Sequence, residues 1–393
     1  MPLSLPIDDL ARQAGFTTAG IAAVPAPGSP EDQDEQSRFA AWIDDGRAGD
    51  MDYLKRRDAA GHLIRSSVRL ALPWARSVIV CAANYNPDAP RSTDPAPPAS
   101  GWIARYAWSA RTDNGTQRPS DYHRVLLRRL EKLRDRLSQE TGPFESRCFV
   151  DTGPVVERVY ARYAGIGWTG KNTCILNQNL GSWLFLGVIV TSLDIAWVPH
   201  ICPPLADVGG HELSPARLIA SIPAPDRCGS CTRCIDACPT QALAGDRTMD
   251  ATRCISYLTI EKRGPIPEEL RPGIGRHVFG CDICQDVCPW NRRAPIAADP
   301  DLTPRNELVN PALEWLAAMN EAEYERTFNG SPVRRAKWTG FRRNLAIAMG
   351  NSGQMRFVAQ LSEWCSDTDP SVAEAASWAV DNLRRMECEG ERL

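Results

Sequence analysis

The clearest periodic pattern in the chain lies between residues 121 and 138. Apolar side chains recur there every three or four positions, which predicts an amphipathic helix with one buried face. The apolar positions are Val125, Leu126, Leu130, Leu133 and Leu137. The opposite face is mostly basic, and we interpret it as a solvated helix face.

Apolar runs of strand length lie on both sides of this helix. Rich in β-branched and aromatic residues, they predict buried strands over residues 77–85, 147–151 and 182–191. A helix and a short strand are predicted within residues 5–24, and another helix near residues 157–164. Because strands alternate with helices, we expect an α/β domain over residues 1–220.

The pattern changes near residue 344. Small residues recur at helical spacing in residues 344–352 and 371–383, which predicts closely packed helix pairs. We expect residues 301–393 to form HEAT-like helical repeats, with an ordinary helical bundle as the alternative.

Composition narrows the class of protein. With 393 residues, 43% of them hydrophobic, the chain is long enough for two or three domains with buried cores. The longest apolar run, residues 183–190, is strand-sized and predicts no membrane span. The N-terminus has no positive segment followed by an apolar core, so we expect a cytoplasmic protein. A net charge of −3 does not indicate nucleic-acid binding, although it can hide a local basic face.

Residues 221–300 contain the strongest chemical pattern and predict a ferredoxin-like module with two [4Fe–4S] clusters. Three cysteines at two-residue intervals and a fourth followed by proline are typical of bacterial ferredoxins, whose fourth cysteine binds the other cluster. Cluster I is predicted to bind Cys228, Cys231, Cys234 and Cys288. Cluster II is predicted to bind Cys238, Cys254, Cys281 and Cys284. Two zinc sites or a disulfide framework are the alternatives; zinc favours separated pairs, and disulfides need an oxidising compartment.

The other cysteines are scattered, and we expect buried thiols at Cys81, Cys148, Cys174, Cys202, Cys365 and Cys388. Two clusters alone make an electron carrier, so the rest of the chain should hold an acceptor that uses the electrons. No nicotinamide or Walker motif is present. The glycine-rich segment 165–170 predicts either a tight turn or a bare surface against a planar ligand.

Two further features indicate chemistry. Asp151 ends a predicted strand and could serve as a general acid if an apolar cofactor raised its pKa; the alternative is a structural cap on the next helix. A basic cluster interleaved with Trp338 and Phe341 could bind RNA phosphates and bases, or form a solvated loop. Its members are Arg334, Arg335, Lys337, Arg342 and Arg343.

Several longer motifs resemble the epoxyqueuosine reductase family over nearly the whole chain. They lie at residues 149–158, 165–172, 181–186, 254–261 and 280–291. The resemblance implies an oxidoreductase that binds cobalamin and two [4Fe–4S] clusters, receives electrons from an external one-electron donor, and reduces epoxyqueuosine in tRNA to queuosine. It also implies a monomer whose α/β domain binds cobalamin and whose helical repeats grip the anticodon stem.

By motif position, the resemblance implies that Asp151 is the proton donor. Residues implied to line the cobalamin are Arg56, Arg105, Ile175, Leu186, Cys281 and Asp282. Ser256 and Arg263 are implied to lie near the cofactor or the tRNA. Cobalt is expected to have no histidine below it, because Asp121-Tyr-His123 lacks the glycine of the usual ligand motif.

The chain departs from the family at two predicted insertions, a loop at residues 108–120 and a longer segment at about residues 195–225. Two alternative functions remain at this point. A corrinoid reductive dehalogenase uses the same cofactors but usually carries a twin-arginine signal, which is absent here. A ferredoxin-type electron-transfer protein with docking domains would bind no corrinoid.

Overall fold

The computed structural model describes residues 7–113, 116–194 and 224–390. Its helices are α1 (Ile7–Ala14), α2 (Pro30–Asp44), α3 (Val68–Ala71), α4 (Tyr122–Thr141), α5 (Glu157–Tyr163), α6 (Arg233–Asp236), α7 (Ile255–Ile260), α8 (Arg271–Ile274), α9 (Ile283–Asp286), α10 (Leu313–Ala317), α11 (Glu321–Thr327), α12 (Lys337–Gly350), α13 (Val358–Trp364) and α14 (Pro370–Gly390). Its strands are β1 (Thr18–Ala23), β2 (Ser77–Asn84), β3 (Trp102–Ile103), β4 (Ser109–Asp113), β5 (Thr116–Pro119), β6 (Ser146–Phe149), β7 (Trp168–Thr169), β8 (Ile175–Leu176), β9 (Leu184–Thr191), β10 (His277–Phe279) and β11 (Thr303–Pro304).

The main sheet has the strand order β1-β2-β9-β6. The predicted strands are confirmed, but every pairing in this sheet is antiparallel, whereas alternating strands and helices usually give a parallel sheet. Every residue of β2 is buried, so its apolar run fits a central strand of either orientation. The sequence pattern therefore predicts the strands without fixing their direction.

Helices cover both faces of this sheet. The predicted helix α4 is confirmed, and its apolar side chains join α1 in a core that includes Leu126, Leu130 and Ile189. Helix α5 lies on the opposite face, where Tyr160 and Ala161 pack with Val188. Asp121 caps the N-terminus of α4 by accepting a hydrogen bond from the backbone N–H of His123, and so fixes the position of the first turn.

The insertion predicted as a loop at residues 108–120 instead contains a β-hairpin. Strands β4 and β5 pair antiparallel, and β11 adds a third strand beside β4. Trp108 anchors the hairpin because its ring is buried and its indole N–H donates a 2.7 Å hydrogen bond to the carbonyl of Ile103. The second insertion, at about residues 195–225, and Cys202 lie outside the described residues, apart from positions 224 and 225.

The largest core joins the iron–sulfur region to the C-terminal helices. It contains Leu258 of α7, Val278 of β10 and many apolar residues of α12 and α14. Asn344 of α12 is fully buried and donates hydrogen bonds to the carbonyls of Thr259, at 2.7 Å, and Val278, at 2.9 Å. The predicted domain boundary at residue 300 therefore does not separate two hydrophobic cores.

Small residues allow the C-terminal helices to approach closely. A Cβ atom on Gly350 of α12 would lie 2.7 Å from the Cβ of Ala379 in α14. A larger residue at either position would therefore force the two helices apart. In the described part of the chain, no helix combines the length and the apolar character needed to cross a bilayer.

Candidate functional site

The four cysteines predicted to bind cluster I lie close together. Cys228, Cys231 and Cys234 precede or begin α6, Cys288 follows α9, and these two short helices pack against each other. Burial raises the pKa of the Cys288 thiol to about 11, and the nearby thiols of Cys234 and Cys228 add to the rise. Each of these thiols acts electrostatically on at least one of the others, and their assignment as cluster ligands stays a prediction.

The cysteines predicted to bind cluster II form a second group, in which all four side chains are half-buried. Burial raises the pKa of the Cys281 thiol well above its ordinary value, and Cys254 and Cys238 contribute to this rise. The pKa of Cys284 is also raised, first by a hydrogen bond with Cys174, then by burial and by Cys281 and Cys254.

Cys174 is therefore a thiol beside the predicted cluster II that the sequence did not indicate. Its hydrogen bond with Cys284 lowers its pKa to about 7 against the effect of burial, with the positive charge of Arg158 contributing. Because Cys174 lies far along the chain from the ferredoxin pattern, the sequence did not indicate its contact with Cys284. Only the fold brings the segment after β7 next to α9.

Asp151 follows β6 with a left-handed backbone conformation, at a φ of 59°, which aspartate tolerates better than most residues. Its side chain is 56% exposed, and its Oδ2 accepts a 3.2 Å hydrogen bond from the Tyr122 hydroxyl. Contact with His123 is the main cause that lowers the pKa of Asp151 to about 2, and burial opposes this shift. Charged groups rather than an apolar wall surround the carboxylate here, and the expected rise of its pKa against an apolar cofactor stays a prediction.

His123 lies between two carboxylates. Its Nδ1 is 2.7 Å from Oδ1 of Asp121, and its Nε2 is 3.5 Å from Oδ2 of Asp151, an ion pair at the outer limit of a hydrogen bond. Burial acts to lower the pKa of His123, but the two carboxylates overcome it and raise the pKa to about 9. At neutral pH the pair is therefore an imidazolium beside a carboxylate.

We call the neighbourhood of Asp151 the central recess. The charges of its side chains act on one another, and its members are Tyr53, Tyr106, Asp151, Arg158 and Arg335. Burial raises the pKa of Tyr106, and the carboxylates of Asp151 and Asp282 add to the rise while Arg335 opposes it. The guanidinium of Arg335 donates a 3.3 Å hydrogen bond to the Tyr53 hydroxyl and forms a 2.6 Å ion pair with Glu261. Residues from distant parts of the chain therefore meet at this recess.

Glu157 is a second carboxyl group near Asp151 that the sequence did not single out. Its Oε1 is buried and has no hydrogen-bond partner among the described residues. Burial raises the pKa of Glu157 to about 7, and the negative charge of Asp151 contributes. The two carboxyl groups thus have pKa values on opposite sides of the ordinary range, a feature common in sites that move protons.

Two residues implied to line the cobalamin are buried and bonded to other protein groups. The Arg105 side chain donates to the side-chain oxygen of Asn86 and to the carbonyls of Ala89 and Pro90. Asp282 accepts hydrogen bonds from the backbone N–H of Arg105, at 2.8 Å, and from the indole of Trp102, at 3.0 Å. These bonds hold the backbone that carries Cys281, and direct contact with a cofactor stays a prediction for both residues.

The other implied cofactor residues occupy different settings. Ile175 is buried in β8, Leu186 is half-buried in β9, and Arg56 is exposed shortly after Tyr53. Burial raises the pKa of the Cys254 thiol, and hydrogen bonds from the backbone of Tyr257 and from the backbone and side chain of Ser256 limit this rise. Ser256 thus contacts a predicted cluster ligand directly.

The glycine-rich segment 165–170 forms a turn that packs on the protein itself. A Cβ atom on Gly167 would lie 2.1 Å from the carbonyl oxygen of Leu176, and one on Gly170 would lie 2.6 Å from Oδ1 of Asn172. These contacts belong to the β7–β8 hairpin. Close packing of the hairpin therefore accounts for both glycines without a planar ligand.

The prediction that Arg343 contacts RNA is wrong, because Arg343 does not lie on the surface. Its side chain is 1% exposed and donates hydrogen bonds to the carbonyls of Leu258, Lys262 and Gly264. Burial lowers its pKa to about 10. Phe341 is fully buried, so it cannot stack on a base either. Both residues instead join α12 to the core.

The remaining predicted RNA contacts are more accessible. Exposed positions are Arg263, Arg334, Arg335 and Lys337, whereas Arg342 is half-buried. Arg334 pairs with Glu325, and Arg342 pairs with Asp367 while its guanidinium lies 4.7 Å from the Trp364 ring centroid. Their RNA contacts stay predictions.

The two groups of cysteines fit the iron–sulfur clusters that the resemblance implies. Two groups of thiols suit two clusters that each need four thiolates. Beside Asp151, the buried Oε1 of Glu157 has no hydrogen-bond partner among the described residues and could accept a hydrogen bond from an amide group of a bound cofactor. The binding of cobalamin at this place stays a prediction.

Family models match two parts of the chain. Residues 227–291 match the model described as "4Fe-4S double cluster binding domain", and residues 65–152 match "Epoxyqueuosine reductase QueG, DUF1730". The first match includes all eight cysteines assigned to clusters I and II. The chain therefore contains a double-cluster iron–sulfur domain.

Whole-chain comparisons agree with these matches. Solved structures of epoxyqueuosine reductase resemble this one, including the enzyme from Streptococcus thermophilus, with a TM-score of 0.74, 26% identity and coverage of 96% of this chain and 90% of that one. Another, described as a complex with an epoxyqueuosine-modified tRNA stem loop, gives a TM-score of 0.76 at 28% identity, with 96% and 89% coverage.

Curated relatives are more similar in sequence. An epoxyqueuosine reductase from Pseudomonas aeruginosa is 38% identical, over 89% of this chain and 86% of its own length. One from Xanthomonas campestris pv. campestris is 37% identical, over 95% of this chain and 94% of its own length. This similarity over almost the full length shows that the chain belongs to the epoxyqueuosine reductase family.

Proposed function

We propose that the chain reduces the epoxide of epoxyqueuosine at the wobble position of tRNA to queuosine, with two [4Fe–4S] clusters and cobalamin as cofactors. The observation that carries this proposal is the position of Tyr106 in the central recess. Its ring centroid lies 6.1 Å from that of Tyr122, which hydrogen-bonds Asp151, and 5.9 Å from that of Phe279, two residues before Cys281. The carboxylate of Asp151, the segment that carries a ligand of the predicted cluster II, and Arg335 of the C-terminal region therefore all act near Tyr106. A reduction carried out on RNA needs these three features in one place.

The reaction consumes two electrons and two protons, and the epoxide oxygen leaves as water. The clusters pass electrons singly from the external donor. Cobalamin, when bound, supplies the strongly reducing centre that delivers the electrons to the substrate. We assign its binding to the recess, with contributions from Ile175, Leu186 and the backbone near Cys281.

The protein's own contribution is to place and protonate the departing oxygen. Asp151 is the proton donor in this proposal, because its half-exposed carboxyl opens into the recess beside two tyrosines. The hydrogen bond from Tyr122 fixes Oδ2, so the carboxyl group is oriented before the substrate binds. A proton donor that is already oriented lowers part of the activation barrier of the reaction.

We assign tRNA binding to the rim of the recess and to the C-terminal helices, which we interpret as HEAT-like repeats. The exposed cations Arg263, Arg334, Arg335 and Lys337 can neutralise backbone phosphates. Arg335 connects this rim to the site because it also contacts Tyr53 in the recess.

The function can be tested in cells that lack their own epoxyqueuosine reductase. Expression of this chain should restore queuosine in tRNA nucleosides analysed by mass spectrometry, and epoxyqueuosine should disappear. Expression of a stable protein that leaves epoxyqueuosine unchanged would contradict the proposed function.

Electrons should enter near cluster I, where four arginines are exposed. They are Arg227, Arg233, Arg292 and Arg293. None of them has an ion-pair partner within residues 7–113, 116–194 and 224–390. Positive charge beside a redox centre favours approach of a negatively charged carrier, so we propose that the external donor is an acidic one-electron carrier protein.

We expect the double variant Arg227→Glu, Arg233→Glu to accept electrons from such a carrier roughly 10-fold more slowly at low salt. The difference should shrink as ionic strength rises, because salt screens exposed charges. Stopped-flow bleaching of the cluster absorbance measures the rate, with Arg384→Glu as the control. Equal slowing with a small chemical reductant would contradict a docking role.

A further inference from the structure

We propose that His123 is the proton store of the site and supplies Asp151 with the proton that the departing oxygen receives. This inference rests on the proposed function and adds a residue to its machinery. The Nε2 of His123 is buried, has no hydrogen bond among the described residues, and lies 3.5 Å from Oδ2 of Asp151. Its Nδ1 is held by Asp121 at 2.7 Å, which orients the ring toward Asp151.

The need for a store follows from the charge of Asp151. Its contact with His123 lowers its pKa to about 2, so at neutral pH the carboxyl group has no proton of its own to donate. His123, whose pKa is raised to about 9 by the flanking carboxylates against the effect of burial, carries that proton instead. The reaction also needs two protons, whereas one carboxylic acid holds only one.

The proton step balances as a two-stage transfer. The N–H bond at His123 Nε2 breaks as an O–H bond forms at Asp151 Oδ2; that bond breaks in turn as the epoxide oxygen, losing its bond to carbon, is protonated. The electrons come from the external donor of the proposed function. His123 is left neutral and regains a proton from solvent, which allows it to supply the second equivalent. His123 acts through Asp151 and is therefore a positioning residue rather than a catalytic one.

Other charged groups also face this pair. Those acting on His123 or Asp151 are Asp121, Tyr122, Tyr53, Tyr106, Glu157, Arg158 and Arg335. Of these, Glu157 is the competing proton store, because its pKa is raised to about 7, first by burial. Within the part of the chain that the structure describes, no hydrogen bond or ion pair joins the side chains of Glu157 and His123, so separate variants distinguish the two stores.

The test combines two measurements on the holoenzyme. The chain has only five histidines, so the His123 ring can be assigned by NMR with ¹³C-labelled histidine and the variant His123→Gln. We expect the ring to titrate near pH 9 and the midpoint to fall in Asp121→Asn and in Asp151→Asn. A midpoint near the ordinary value of about 6.5 in the wild type would overturn the proposal whatever the activity.

The second measurement is the pH dependence of single-turnover queuosine formation. The wild-type rate should be level below pH 9 and fall above it, and the fall should move toward neutral pH in Asp121→Asn. His123→Gln keeps an N–H donor but cannot store a proton, so it should react roughly 10- to 100-fold more slowly and lose the fall near pH 9. Glu157→Gln should keep that fall.

Two results would overturn the proton store: His123→Gln with the wild-type rate and pH profile, or loss of the fall in Glu157→Gln alone. Absence of queuosine from the wild type would contradict the proposed function. In that case the NMR titration would still decide whether His123 holds the proton beside Asp151.

Discussion

Replacement of Asp151 by asparagine should lower the rate of queuosine formation by roughly 10²- to 10⁴-fold, the usual contribution of a general acid. Asparagine keeps the size of the side chain and tolerates the left-handed backbone at this position, so the fold should be retained. It cannot pass a proton from His123 to the substrate. Single-turnover kinetics with excess enzyme measure the chemical step directly.

Asp135→Asn is the matched control, because Asp135 is an exposed carboxylate on α4 that pairs with Arg134. We expect this variant to react at the wild-type rate. Cluster content, corrinoid absorbance and tRNA affinity should be the same in both variants. A wild-type rate in Asp151→Asn would remove Asp151 from the mechanism while leaving the substrate unaffected.

Replacement of Cys254 by serine should remove cluster II. The iron content should fall from about eight to about four atoms per chain, because each [4Fe–4S] cluster depends on its full set of ligands. Queuosine formation should be lost, since electrons could no longer pass from cluster I to the recess. Iron analysis and the visible spectrum of anaerobically purified protein measure the first effect.

Cys254 is the most informative ligand to change because it lies far from the close spacing of the ferredoxin pattern. The competing fourth ligand is Cys174, whose thiol contacts Cys284. Cys365→Ser is the control, because the thiol of Cys365 donates a hydrogen bond to the carbonyl of Leu361 within the C-terminal region. Full iron content in Cys254→Ser together with loss of iron in Cys174→Ser would reverse the assignment.

Local patterns predicted the elements well but not their arrangement. The period of α4 and the apolar run of β2 follow from burial, which sequence records directly. Strand direction and the hairpin at residues 109–119 depend on pairing with distant segments, for which the sequence carries no local signal. The antiparallel sheet and the pairing of β11 with β4 could therefore not be read from the pattern.

The candidate site was likewise predictable from the sequence only in part. The cysteine spacing predicted the double-cluster domain that the family model matches, because short loops around a cluster constrain the ligands. The division of the eight cysteines between the two clusters stays a prediction. The basic cluster led to a wrong prediction for Arg343. The charge pattern along the chain does not reveal that the carbonyls of Leu258 and Gly264 accept hydrogen bonds from its side chain. The charge state of Asp151 also depends on His123, 28 residues earlier in the chain, and no spacing rule connects them.

The most direct measurement is single-turnover reduction of epoxyqueuosine-containing tRNA by the reconstituted protein under anaerobic conditions. The protein would carry both clusters and cobalamin, receive electrons from a chemical reductant, and be compared with a preparation lacking cobalamin. We predict that queuosine forms in the complete preparation at one equivalent per two electrons, and that none forms without cobalamin. Unchanged epoxyqueuosine in the complete preparation, with intact clusters and bound cobalamin, would contradict the proposed function.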